Sequence, residues 1–231
     1  MRDMVGEAEY CVDMVMCIDM TTGEYGFIKD FKENAIRFYD LLMDAMEDSG
    51  HLIDQLRIRI IGFRDFIIGA EPIVDSGKFF LLPDEIEEFE SFVRGLQIVT
   101  GDFSPKTGLE AIAMALKSDW TQKGTKQKHV IFVYTNSASY KLREMADNSH
   151  YPEGMPTDLA ELGRWWNEGV PNGSYKPRSG RLVITAPNAY PWTGMSEWDR
   201  CWFSVQHVPV ICSFIEESLE SIIDLLMCTD L

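Results

Sequence analysis

The stretch Val12-Asp13-Met14-Val15-Met16-Cys17-Ile18-Asp19-Met20-Thr21-Thr22-Gly23 decides how the rest of the chain is read. Residues 12–18 are nearly all apolar and stop at Asp19. A short apolar run closed by turn residues predicts a strand buried on both faces. Beyond it, Ile28, Phe31, Ala35, Phe38, Leu42, Ala45 and Met46 recur at spacings of three and four, a helical stripe that Gly50 would stop. Leu56 to Phe63 alternates as a strand does, and Ile73 to Phe80 reads as its antiparallel partner. Asp84 with Glu87 makes a capping signal ahead of the stripe Phe89, Phe92, Val93 and Leu96. The turn-rich residues Gly101 to Gly108 lead into a helix through Leu109, Ile112, Ala113 and Leu116. His129–Tyr134, Leu182–Ala186 and Val208–Cys212 read as further strands, the last at an edge because of Pro209, and Ser218 to Met227 as a closing helix.

Strands alternating with helices in this order predict an α/β protein. Its expected core is an open, doubly wound, Rossmann-like sheet of six mainly parallel strands, flanked by helices and carrying one antiparallel edge strand. Residues 1–231 read as a single domain with an irregular insertion at about 138–180. That insertion holds Pro152, Pro156, Pro171, Pro177, a short helix from Asp158 to Asn167, and the pair Trp165 and Trp166. Long irregular insertions are usually functional or mobile.

With 231 residues, 45% hydrophobic and 25% charged, the chain can bury one sizeable core and does not read as disordered. Its formal charge of −16 disfavours binding that rests on neutralising phosphates, so neither nucleic acid nor an anionic membrane surface is expected as a partner. No apolar run reaches the ~18 residues of a membrane span. Glu7 and Glu9 stand where a secretory leader would be apolar. The five cysteines form no CxxC pair and lie mostly in apolar runs, which suits a reduced, cytoplasmic protein.

In an open parallel sheet, ligands bind at the carboxyl ends of the strands near the switch in strand order. Three polar clusters fall there: Asp19-Met20-Thr21-Thr22-Gly23, Gly101-Asp102-Phe103-Ser104 and Thr135-Asn136-Ser137. Carboxylates, hydroxyls and an amide are hard oxygen ligands, suited to Mg²⁺ or Ca²⁺. Each also has a structural reading: Asp19 as a helix cap, Asp102 as a turn former, Asn136 as a turn residue. The candidate metal set is Asp19, Thr21, Asp102, Asn136 and Ser104. Thr107 with Glu110 makes a helix capping box and reads as structural.

These residues resemble a von Willebrand factor type A domain over nearly the whole chain. Asp19-Met20-Thr21-Thr22-Gly23 resembles the family's Asp-x-Ser/Thr-x-Ser metal motif, and Arg59 to Asp65 its second strand. Thr100-Gly101-Asp102-Phe103-Ser104-Pro105 resembles the Gly-Gly-Gly-Asp-x-Pro-Glu loop of intracellular members, and Thr135-Asn136-Ser137 stands where Thr-Asp-Gly is usual. Leu182 to Pro187 and Trp192 are similar to small stand-alone bacterial members, some grouped with tellurium-resistance and stress-response genes. The resemblance implies a protein-binding module whose partner is engaged through a divalent cation, Mg²⁺ or else Mn²⁺ or Ca²⁺. Two departures weaken the ion site: Gly23 removes a hydroxyl, and Asn136 removes a carboxylate. A metal-independent scaffold of the same fold is the alternative reading. Trp165, Trp166 and Trp192 are candidate partner contacts, since tryptophan is enriched at binding hot spots; the alternative is that the late tryptophans pack against the sheet.

An enzyme is the remaining rival. A phosphotransfer hydrolase with an Asp nucleophile needs a second acid two residues on, where Thr21 stands. The chain has no HExxH, no Gly-Lys-Ser/Thr phosphate loop and no GxSxG. Its four histidines are scattered, and only His150 falls in the loop region after the third polar cluster. No catalysis is expected.

Overall fold

The computed structural model describes residues 10–21, 32, 39–44, 46–48, 53–66, 72–99 and 105–205. Seven strands form one sheet: β1 (Tyr10–Asp19), β2 (Gln55–Phe63), β3 (Ile73–Asp75), β4 (Phe80–Leu82), β5 (Lys126–Tyr134), β6 (Gly180–Ala186) and β7 (Cys201–Val205). The order is β3-β2-β1-β5-β6-β7, and every pair from β2 to β7 is parallel. β3 and β4 both run antiparallel to β2, at its carboxyl and amino halves respectively. The antiparallel edge expected over Ile73–Phe80 is therefore two short segments, with residues 76–79 between them, and the sheet has seven named strands where six were expected.

All ten residues of β1 are buried, as a central parallel strand requires. Its side chains alternate between two cores. Val12, Met14, Met16 and Ile18 face the cluster containing α1 (Ile86–Gly95) and Met46, while Val15 and Cys17 face α2 (Gly108–Leu116) and α3 (Leu159–Glu168). Fully burying each of the larger apolar side chains stabilises by about 1.5–3 kcal/mol. Asp13 interrupts the apolar run because the parallel register sets it beside Arg57. The guanidinium meets it with two bonds of 2.8 and 2.6 Å, and the Thr121 N–H adds a third of 2.6 Å.

Two capping expectations are corrected. α1 starts one residue later than Asp84 would place it, with Glu85 at the cap position, where its side chain accepts from the Leu81 N–H. At α2, Thr107 and Glu110 make no capping box: the Ser139 hydroxyl accepts from the Leu109 N–H, and the Glu110 carboxylate turns to Tyr151. The Asp158 cap of α3 is formed as expected, accepting from the Glu161 N–H at 2.8 Å.

Residues 39–44 and 46–48 are helical, within the stripe read from the sequence. The strand expected at Val208–Cys212 and the helix at Ser218–Met227 lie outside the described residues, as do Thr22, Gly23, Gly50, Asp102 and Ser104. β7 was not anticipated. The insertion is largely ordered against the sheet: α3 buries Leu162, Trp165 and Trp166, and a short helix, α4 (Trp192–Met195), buries Trp192. Among the described residues no helix is long and apolar enough to cross a membrane.

Candidate functional site

β1 has β2 on one side and β5 on the other, so the strand order reverses at β1. Asp19 is the last residue of β1, and the register Ile18↔Tyr134 brings Thr135 beside it. The Asp19 carboxylate is 2% exposed and engaged at both oxygens. Oδ1 accepts from the Thr21 hydroxyl at 2.7 Å and the Thr21 N–H at 3.1 Å, and Oδ2 accepts from the Thr135 hydroxyl at 2.7 Å. Thr135 Oγ1 in turn accepts from the Ser137 N–H at 3.1 Å, and the Ser137 hydroxyl donates to Asn136 Oδ1 at 3.0 Å. Asp19, Thr21 and Asn136 thus come to one strand end. Asp102 and Ser104, read into the same site, lie outside the described residues.

A residue not singled out in the sequence completes this end. Lys106 is 1% exposed, and its backbone is clamped to the loop after β5. Its N–H donates to Ala138 O at 2.9 Å, while its carbonyl accepts from the Tyr140 N–H and the Ser139 hydroxyl, each at 3.0 Å. The next residue, Thr107, donates its N–H to Arg64 O, just past β2. Asp65 beside it is also buried and accepts from the Tyr140 hydroxyl at 3.0 Å. Burial pushes the Asp19 carboxyl above its usual range, while the hydrogen bonds from Thr21 and Thr135 and the nearby Lys106 charge work against that rise.

The tryptophan contacts need correcting. Trp165, Trp166 and Trp192 are at most 9% exposed, because their large apolar rings fill the space between the insertion and the sheet. Trp192 also donates its indole N–H to Ser137 O at 2.8 Å, and its ring leaves no room for a side chain at Gly108, where a Cβ would meet it at 2.7 Å. Among the described residues the exposed large aromatics are Tyr190, 48% accessible in the segment after β6, and Trp202, 40% accessible in β7.

A divalent cation of the kind the family resemblance implies needs several anionic oxygens. The described residues at this end offer the Asp19 carboxylate held by three donors, the buried Asp65 carboxylate, the hydroxyls of Thr21, Thr135 and Ser137, and a buried lysine whose charge acts on Asp19. Among them no group of three or more His, Cys, Asp or Glu is placed to hold a metal. Nor does a histidine stand beside Asp19 among the described residues. His129 pairs in register with Asp13, well down the strand, and stacks on Trp120. His150 is exposed at the rim of a cavity of about 350 Å³ lined by Pro72, Asp75 and Met114.

No protein-family model and no curated protein sequence matches the chain. Solved structures do. A von Willebrand factor type A protein from Catenulispora acidiphila superposes with a TM-score of 0.52 at 12% identity, over 94% of this chain and 43% of that one. The PilB minor pilin of Streptococcus sanguinis gives 0.57 at 7% identity, over 97% and 64%. Proximal thread matrix protein 1 of the mussel byssus gives 0.52 at 10%, over 95% and 49%. The chain therefore spans less than two thirds of each neighbour's length. With its parallel sheet, antiparallel edge and switch point at β1, the chain has a von Willebrand factor type A-like fold.

Proposed function

We propose that the chain is a non-enzymatic protein-binding module whose recognition face is the carboxyl end of β1 and β5. The observation that carries this reading is the closed hydrogen-bond set around Asp19. Both of its oxygens are engaged by Thr21 and Thr135, and among the described residues no histidine is recorded in contact with it. Such a set holds loops in place and activates nothing. The half-buried Asn136 follows Thr135 directly, and the exposed Tyr190 stands in the segment after β6, a polar group and an aromatic of the kind that anchors interfaces. Two structural neighbours are a pilin and a thread matrix protein by name, components of assemblies, which agrees with a binding role. A bacterial stress-response setting rests on the sequence resemblance alone.

The test is site-specific photo-crosslinking in the native cell. A photoreactive residue is placed at Asn136 or Tyr190 and, for comparison, at Lys126 at the opposite end of β5. Adducts with one protein from the first two positions and none from the third support the reading. Equal yields from all three, or turnover on a phosphoester or ester panel that Asp19→Ala abolishes, would sink it.

A further inference from the structure

We propose that the outer edge of β3 is a second recognition site, which takes an extended, basic segment of a partner protein as an added strand. The inference goes beyond the face at β1 and β5, and either site can fail without the other.

The hydrogen-bond register leaves that edge open. β3 ends the strand order, and among the described residues nothing pairs with its far side. Arg64 donates its N–H to Pro72 O at 2.8 Å, and Ser76 donates its own to Ile60 O at 3.0 Å. In an antiparallel pair such bonded positions alternate with unbonded ones. Pro72, Val74 and Ser76 therefore turn their polar backbone groups toward β2, and Ile73 and Asp75 turn theirs outward. The Phe63 carbonyl agrees: opposite Ile73 in the register, it accepts from the Met20 N–H on the β1 side. The outward N–H and C=O groups of Ile73 and Asp75 take no backbone partner among the described residues. Donors and acceptors in that spacing are matched by the backbone of another extended strand.

A hollow lies along the same edge. The cavity of about 350 Å³ is bounded by Pro72 and every residue of β3, and by Met114 of α2 with His150 and Pro152 of the insertion. Ligand sites measure roughly 300–1,000 Å³. Ile73 and Asp75 pair with Phe63 and Ile61, whose side chains belong to the core cluster of α2. Side chains that an added strand sets beside them therefore share that face and meet Met114 and Pro152. Charge selects what they carry. The chain has a net −16, Asp75 lines the hollow, and Glu153 is exposed next to Pro152. Arg59, paired with Asp75, and Lys117, which donates to the Glu153 and Gly154 carbonyls, offset only part of the acidic excess. A lysine or arginine can lay its methylene stem along Met114 and Pro152 and keep its charge at the acidic rim. The three-residue length of β3, Pro72 and the charge of Asp75 keep the edge from pairing indiscriminately.

The experiment is residue-resolved amide hydrogen exchange, on the free chain and with a short capped peptide of alternating lysine and valine. The controls are the same peptide N-methylated at alternate residues and a peptide of alternating glutamate and valine. In the free chain Ile73 and Asp75 should exchange faster than Val74 and Ser76, whose N–H groups face β2. The lysine peptide should slow Ile73 and Asp75 by roughly tenfold or more, and neither control should. Ile73→Pro removes an outward donor and spares the bonds from Arg64 and Ser76, so it should weaken the lysine peptide by roughly tenfold. Slow exchange at Ile73 and Asp75 in the free chain would mean that the edge is already covered, and overturns the proposal. A lysine peptide that leaves both amides unprotected overturns it too, as does binding that survives N-methylation. Equal protection by the glutamate peptide overturns the choice of a basic partner. Should Ile73→Pro fail to accumulate folded, the N-methylated peptide tests the same bonds on the unaltered chain.

Discussion

Thr135 gives its hydroxyl proton to Asp19 Oδ2 at 2.7 Å, which ties the end of β5 to the end of β1 at the reversal of strand order. The same oxygen, Thr135 Oγ1, receives the Ser137 N–H, so one hydroxyl sets both the carboxylate and the start of the following loop. Thr135→Val keeps the shape and removes both roles. A hydrogen bond to a buried charged group is worth about 1.5–3 kcal/mol, and a loss of that order is expected in urea unfolding. Thr135→Ser should retain most of the stability.

Glu110 supplies a pH dependence. It is fully buried on α2, Oε1 accepts the Tyr151 hydroxyl at 3.1 Å, and Oε2 has no hydrogen-bond partner among the described residues. Burial raises its pKa from 4.5 to about 7. The folded chain therefore holds this proton more tightly than the unfolded chain. The contribution is complete below about pH 4.5 and is lost as pH rises through about 7, to a total on the order of 3 kcal/mol. Glu110→Gln should flatten that limb, and at pH 8 it should be more stable than the native chain by denaturant unfolding.

His129 acts on the acid side. Its ring stacks on Trp120 at 4.8 Å, Nδ1 accepts from the Lys176 N–H, and Nε2 therefore carries the proton facing Thr121 O at 3.3 Å. Burial lowers its pKa from 6.5 to about 4. Its contribution is present above about pH 6.5 and is lost as pH falls through about 4. Nitrogen-detected NMR of the imidazole should show the neutral Nε2–H tautomer persisting at pH 5. A protonated ring at that pH would contradict the assignment.

The parallel sheet could be read from the sequence because β1 and β5 are apolar runs with polar stops, a signal carried by neighbouring residues alone. Asp19, Thr21 and Asn136 were legible for the same reason: each follows directly from where a strand ends. Lys106 was not. A lysine in a turn-rich stretch reads as solvated, and what ties its backbone down is the Ala138–Tyr140 loop, whose contact at Ser139 is 33 residues away. The one local hint was Lys106 after Pro105, where the intracellular loop pattern has Glu. The tryptophans misled in the opposite sense. A cluster of indoles in an irregular segment resembles a contact surface, yet that segment folds back and spends them on its own packing. The Thr107–Glu110 spacing likewise promised a capping box, and tertiary partners took both side chains: Pro72 O faces the Thr107 hydroxyl at 3.5 Å, and Tyr151 holds Glu110.

Gly108 and Trp192 give the last prediction, since the first residue of α2 lies against the indole that closes the candidate face. A Cβ at Gly108 would stand 2.7 Å from Cη2 and 3.0 Å from Cζ2 of Trp192, so Gly108→Ala forces the ring away. Overpacking of this kind costs about 1–3 kcal/mol. Trp192→Phe gives up the bond to Ser137 O as well as part of the packing, and should also destabilise. In the double variant the smaller ring leaves room for the new methyl. Its loss in Tm should therefore fall short of the sum of the two single losses, the sign of a direct contact. Strict additivity would mean that the ring and the helix start do not touch.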